Sequence, residues 1–320
     1  MGKYLLWFLL IAIFLFSPFV GAVELKIGEI FDLSTLASNI FFELRVPRVL
    51  FAFSAGVILA LSGLLFQTLF RNALMTPYTL GISSGAVLGA GVAIKFGLGS
   101  LFLGLGAIHL FGFFGALLSV FLLLYLSRFL KNAHHESLLL LGIALSLFYT
   151  SALMIVFYLG SAIQNDMLIR FTMGSLSVIG WQNPVIVGFI AAFLLTVIYI
   201  YRFELQLLGI SDESARLKGL DTKKTTRVLL IVSSFAIGIL VSISGPIGFV
   251  GLITPHIIAK LHPSTVNRRI VKTALFGGLF LVFCDTLTRA LSTNSELPIG
   301  IITALIGGPF FIYLIIRKKQ

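Results

Sequence analysis

Few side chains in this chain could do chemistry, and most of those that could are arginines or carboxylates set at the edges of apolar runs. Asp285 is the acid best placed inside such a run. An unpaired charge there costs on the order of 2.5–3.5 kcal/mol on insertion scales, so it calls for a partner. Arg289 follows four residues later, in the acid-before-base order that a helix favours. The pair reads either as a local ion pair or as a site of proton or ion coupling. Arg45-Val46-Pro47-Arg48 is the second constellation. A proline-fixed turn makes the two arginines project stiffly, and the guanidinium fork suits carboxylates. Anchoring among lipid headgroups is the alternative. His134-His135-Glu136 has the residue types of a metal site, yet adjacent histidines on a helix face different ways. No H-E-x-x-H spacing follows, and a solvated turn fits better. Gly81-Ile82-Ser83-Ser84-Gly85 spells the G-x-S-x-G of serine hydrolases, which requires a strand before it and a helix after it. Here the residues open an apolar helix, where small side chains serve as packing surface. No G-x-x-x-x-G-K-[ST] loop occurs, so ATP-driven work would require a partner.

The elements that must position these groups follow from composition. Of 320 residues, 58% are hydrophobic and 11% charged, against about 25% charged in a soluble domain. An ordinary soluble protein is thereby excluded, and the chain reads as one membrane domain over residues 1–320. Apolar windows fall near 5–22, 46–68, 80–98, 103–127, 138–160, 183–201, 227–244, 247–262, 271–291 and 298–316, giving about ten transmembrane helices. The first could instead be a signal peptide ending at Val20-Gly21-Ala22, but it is longer than a signal core and everything downstream is also membrane. An even count puts both termini on one side, and Lys3 with Arg317-Lys318-Lys319 makes that side the cytoplasm. Arg71, Arg128, Lys131, Arg202, Arg216, Lys218, Lys223, Lys224, Arg227, Lys260, Arg268, Arg269 and Lys272 then fall inside. Glu24, Glu29, Asp32, Glu43, Asp166 and Glu296 fall outside. The net charge of +11 is read through this asymmetry, not as nucleic-acid binding. The single Cys284 allows no intrachain disulfide. Gly81, Gly85 and Gly89 recur on one helix face and predict close helix packing. Interrupted stretches at Asn72–Pro77 and Gly245-Pro246-Ile247-Gly248 stand at comparable places in the two halves, as in many transporters.

The longest polar stretch runs from Arg202 to Arg227. Within it Ser211 can cap a short helix with Asp212 and Glu213 in its first turn and Lys218 before Gly219 at its end. On a cytoplasmic face such a helix is either a surface element or a handle for a soluble motor.

At this point the chain resembles the permease subunits of ATP-binding-cassette (ABC) importers for iron chelates, haem and vitamin B12, the FecCD or BtuC family. The resemblance covers nearly the whole length. It rests on Arg45-Val-Pro-Arg48 leading to Gly56 and Leu61-Ser-Gly63; on Phe70-Arg-Asn72-Ala-Leu74 and Leu80-Gly-Ile-Ser-Ser-Gly-Ala86; on Gly209 through Gly219; on Ser244-Gly-Pro-Ile-Gly-Phe-Val-Gly251 with Thr254-Pro-His256; and on Glu296-Leu-Pro-Ile-Gly300 through Gly307-Gly-Pro309. The resemblance implies an all-α polytopic protein of type II importer architecture in the bacterial cytoplasmic membrane. It implies a homodimer, or a pair with a related permease chain, around a central substrate path. It implies no enzymatic activity and no cofactor in this chain. A substrate-binding protein would dock outside on Arg45, Arg48 and Arg289. Two cytoplasmic ATPase subunits would receive a coupling helix formed by Ser211, Asp212, Glu213, Ser214, Ala215, Arg216, Leu217, Lys218 and Gly219. A cytoplasmic gate would involve Asn72, Leu74, His135 and Glu136, although Ala73 stands where relatives carry proline. The implied cargo is a ferric siderophore first, then haem, then cobalamin. The competing reading is a secondary transporter that draws on an ion gradient through Asp285.

Overall fold

In hydrocarbon each backbone N–H and C=O must be satisfied within its own segment, so apolar runs of this length fold as helices. The computed structural model describes the chain except residues 1, 22, 24–26, 31–34, 99, 103–104, 130–134, 292–295 and 318–320; at a few more, His135 and Glu136 among them, it describes the backbone alone. We number the helices α1 (Gly2–Phe16), α2 (Val46–Leu69), α3 (Ile82–Lys95), α4 (Ala107–Leu126), α5 (His135–Leu159), α6 (Ala162–Met173), α7 (Gln182–Ile200), α8 (Arg202–Leu208), α9 (Asp212–Leu217), α10 (Thr222–Ser244), α11 (Val250–Leu261), α12 (Val266–Leu291) and α13 (Ile299–Arg317). Single turns at Ile27–Ile30 and Leu36–Asn39 and a π-helical turn at Ile40–Arg45 precede α2, and Ser100–Phe102 pairs with Leu105–Gly106 before α4.

Among the described residues six helices are long and apolar enough to cross a membrane, and four shorter apolar ones, in α1, α3, α11 and α13, fall at the other four expected windows. Two of the short ones deserve a physical reason. α3 has 14 residues and α11 has 12, so they extend only about 21 and 18 Å. Each follows a non-helical stretch, residues 70–81 before α3 and 245–249 before α11, where the sequence is interrupted. Gly245 at φ +67° and Phe249 at φ +66° make the second break. α6 is an element that apolar windows do not reveal. It is set by a capping box in which Ser161 and Gln164 exchange hydrogen bonds.

The core centres on α2, of whose most apolar 18-residue window 83% is buried, against 22% for α5. Glycines bring its neighbours in. A methyl group at Gly56 would overlap the Gly277 carbonyl of α12, and one at Gly63 would overlap the Gly251 carbonyl of α11. The α3 glycines act likewise: a Cβ on Gly85 would stand 2.6 Å from the Gly115 carbonyl oxygen of α4. α1 belongs to the bundle, with Trp7 edge-on to Phe276 at 5.9 Å and Phe14 to Phe53 at 5.4 Å between ring centroids. The acidic end of the bundle is not purely acidic: Lys95 ends α3 there and its carbonyl accepts from Gln164, while Arg170 pairs with Asp166 on the surface of α6.

Candidate functional site: two polar clusters at the ends of α2 and α12

α2 spans about 36 Å and carries Arg48 in its first turn, with Arg71 just past its last. α12 carries Arg269 near its start and Arg289 near its end. Packed through Gly56 and Gly277, the two helices therefore present an arginine pair at each end of the bundle.

At one end Asp285, fully buried, lies between two of these arginines. Its Oδ1 accepts from Arg48 Nε at 3.0 Å and its Oδ2 from Arg289 Nε at 3.0 Å. The local i,i+4 pair is thus present, and Arg48 from another helix completes it. Arg48 Nη1 also donates to Glu296 Oε1 at 2.8 Å and to Ser177 Oγ at 3.2 Å, while Ser177 donates to Glu296 Oε2 at 2.6 Å. Arg289 Nη1 donates to the carbonyls of Ser17 and Val20 at 2.8 and 2.7 Å, and its Nη2 bonds Ser17 Oγ. Arg45 turns to the same segment and donates to the carbonyls of Pro18, Phe19 and Val23. All three arginines are only 7–8% exposed. Three guanidiniums meet two carboxylates, so the cluster keeps one net positive charge. Glu296 lies over it with its side chain 55% exposed. Partial burial acts to raise the Glu296 carboxyl, but the Ser177 hydroxyl and the Arg48 guanidinium outweigh that and hold it below the ordinary carboxylate value.

The other end is built differently. Ser211 Oγ accepts from Ser214 N at 2.9 Å and caps α9, whose first turn holds Asp212 and Glu213. Lys218 closes the helix, and Gly219 at φ +81° turns the chain out of it, a conformation glycine adopts freely. Asp212 pairs with Arg71, which also donates from Nε to the Leu208 carbonyl at 2.9 Å. Leu217 is 85% exposed, an apolar knob on a polar loop. Asn72 Oδ1 accepts from Leu74 N at 3.0 Å, so the turn through Ala73 is closed by a side chain. Leu74 is exposed. His135 begins α5; its side chain, that of Glu136 and all of His134 lie outside the described residues. Ser83 is buried in α3 with no strand ahead of it, which fits packing and not a nucleophile elbow. Among the described residues no group of three or more metal-ligating side chains gathers.

Ser17, Val20, Ser177 and Glu296 complete the first cluster, and reasoning along the sequence does not find their roles. Arg48 lies 237 residues from Asp285, and Arg289 lies 272 from Ser17, and no local pattern announces such pairings.

The model of the FecCD transport family matches residues 9–317. The hemin transport system permease protein HmuU of Yersinia pestis is 34% identical, covering 98% of this chain and 94% of the relative. The molybdate import system permease protein MolB of Haemophilus influenzae is 31% identical over 95% of this chain and 88% of that one. A solved structure assigned to the metal-chelate type of ABC transporter, in an inward-facing conformation, superposes with a TM-score of 0.87 at 26% identity, covering 99% of this chain and all of its own. The fold is that of an ABC importer permease, and the chain belongs to the FecCD transport family.

Proposed function

We propose that this chain is the membrane subunit through which a binding-protein-dependent importer moves an iron chelate into the cell, with ATP hydrolysed by two separate subunits. The observation that carries the reading is the family match along residues 9–317. In this reading the protein pairs with a second copy or a related permease in the bacterial cytoplasmic membrane, with both termini inside. The net positive charge around Arg45, Arg48 and Arg289 faces outward and attracts acidic lobes of the binding protein. Because these arginines already have acceptors within the chain, they dock chiefly by long-range attraction and by exchange of hydrogen bonds at the rim. At the other end, α9 with its exposed Leu217 seats in the ATPase subunit, and Arg71–Asp212 ties that motion to α2. The Asn72–Leu74 turn and the start of α5 at His135 and Glu136 form the gate. Nucleotide binding shifts the pair between outward- and inward-open states by differential affinity.

Asp285 does not favour the gradient-driven alternative, since both of its oxygens are occupied by guanidiniums. A named relative handles hemin and another molybdate. Selection of the cargo then falls mainly to the binding protein. The test is uptake of radiolabelled ferric siderophore, haem and cobalamin by cells with and without this chain, with the ATPase intact or disabled. Uptake of one chelate is expected to need both. Uptake that needs this chain and survives loss of the ATPase would overturn the reading. Docking is tested with Arg45→Gln, which leaves the Asp285 pairs intact. Binding-protein affinity should fall several-fold and lose part of its salt dependence, and unchanged affinity would remove the docking role.

A further inference from the structure

Where α2 ends and α12 begins, the basic end of the bundle holds a cleft of about 320 Å³, of whose lining only Arg71 enters the coupling reading above. Thr68, Arg71, Gly209, Thr265, Val266 and Arg269 line it, and none of its lining residues is acidic. Arg269 is the informative group. Among the described residues its Nε is buried with no acceptor, although a guanidinium keeps its proton in any protein setting and its donors need acceptors. The cleft also receives the first turn of α12, a helix of 26 residues whose N-terminal amides and dipole favour an anion. Arg71 supplies a second guanidinium to the lining. Its backbone sits at φ +47°, a left-handed conformation costly for a bulky side chain. Its Nε bond to the Leu208 carbonyl and its pairing with Asp212 hold it beside the opening. Two arginines, a helix start and a threonine thus line one acid-free space, and behind the Arg269 fork the Nε has no acceptor among the described residues.

We propose that this cleft binds a phosphate-type oxyanion, with Arg269 as its principal ligand and Arg71 as the second. The chemistry is shared by inorganic phosphate and by the phosphodiester of an acidic phospholipid at the membrane surface, where the ends of α2 and α12 place the cleft. Because Arg71 also holds Asp212 of α9, an anion here competes for the same guanidinium that anchors the short helix.

The test uses the full chain with its ATPase subunits, in detergent and in nanodiscs. In detergent the thermal midpoint is followed against inorganic phosphate, with chloride of matched ionic strength as the control. In nanodiscs phosphatidylcholine is compared with a phosphatidylcholine and phosphatidylglycerol mixture. A saturable rise in the midpoint is expected. Arg269→Gln should weaken the apparent affinity tenfold or more, Arg269→Lys should recover part of it, and Arg268→Gln, at an exposed position off the cleft, should change nothing. Stabilisation in both arms identifies a free-phosphate site, and stabilisation by phosphatidylglycerol alone identifies a headgroup site. Saturation that Arg269→Gln leaves untouched, or none in either arm, overturns the proposal. So does a result in which Arg269→Gln alters only ATPase-subunit affinity, because the occupant is then a carboxylate of that partner.

Discussion

α2 and α12 are tipped with arginine at both ends, and the two ends handle that charge in opposite ways. At the Arg48–Arg289 end the acid is internal: Asp285 lies on α12 itself, fully buried, and each of its oxygens takes a guanidinium. At the Arg71–Arg269 end, among the described residues, the one acid paired with either arginine is Asp212, on a six-residue helix in the longest polar loop, and the Arg269 Nε is left without an acceptor. A charge neutralised within the bundle holds the bundle together. A charge neutralised by a peripheral element, or left open, responds to whatever moves that element or enters the space. The difference separates a scaffold end from a responsive end along a single helix pair.

The comparison breaks first at Asp285. Asp285→Ala leaves two buried guanidiniums without their carboxylate, and removing one partner of a buried ion pair costs about 3–5 kcal/mol. We expect a large fall in folded yield and thermal midpoint, measured by size exclusion and unfolding in detergent. Asp212→Ala is the matched change at the other end. The Asp212 side chain is 44% exposed, so solvent screens the pair and the stability change should stay within about 1 kcal/mol. Its effect should appear instead as reduced stimulation of ATPase activity by the loaded binding protein. Equal destabilisation by the two variants would erase the distinction. Between the ends, Gly56→Ala forces a methyl against the Gly277 carbonyl, an overpacking that costs about 1–3 kcal/mol. It should loosen both clusters together.

What the sequence makes legible follows the range of the interactions. The ten apolar runs, the Ser211 cap, the Gly219 turn and the i,i+4 pair of Asp285 with Arg289 are all local, and the helices and hydrogen bonds lie where those patterns place them. Boundaries shift where neighbours intervene: α4 begins at Ala107 and not near 103, because Ser100–Phe102 pairs with Leu105–Gly106 ahead of it. The third member of the ion cluster is invisible locally. Nothing around Arg48 indicates Asp285, because the approach is made by Gly56 and Gly277 eight residues along each helix. The same holds for the carbonyls after α1 that receive Arg45 and Arg289. They turn a stretch resembling a cleavage site into part of the ion network. α6 escapes notice because its capping box is polar and no long apolar run follows.

The smallest effect, and the sharpest test of the scaffold end, is at Glu296. Its carboxyl is held below the ordinary value of 4.5 in the folded chain, mainly by Ser177 and Arg48 against the opposing effect of burial. A carboxylate whose folded value is depressed contributes stability that is complete above its unfolded value and is lost as pH falls through the lower folded one. Half of the Glu296 side chain is in solvent, so the contribution is about 1 kcal/mol or less. Glu296→Gln should therefore lower the thermal midpoint slightly near neutral pH and leave it closer to that of the unaltered chain as pH drops below 4.5. A variant whose deficit is the same at every pH would assign the Glu296 contribution to packing and not to charge.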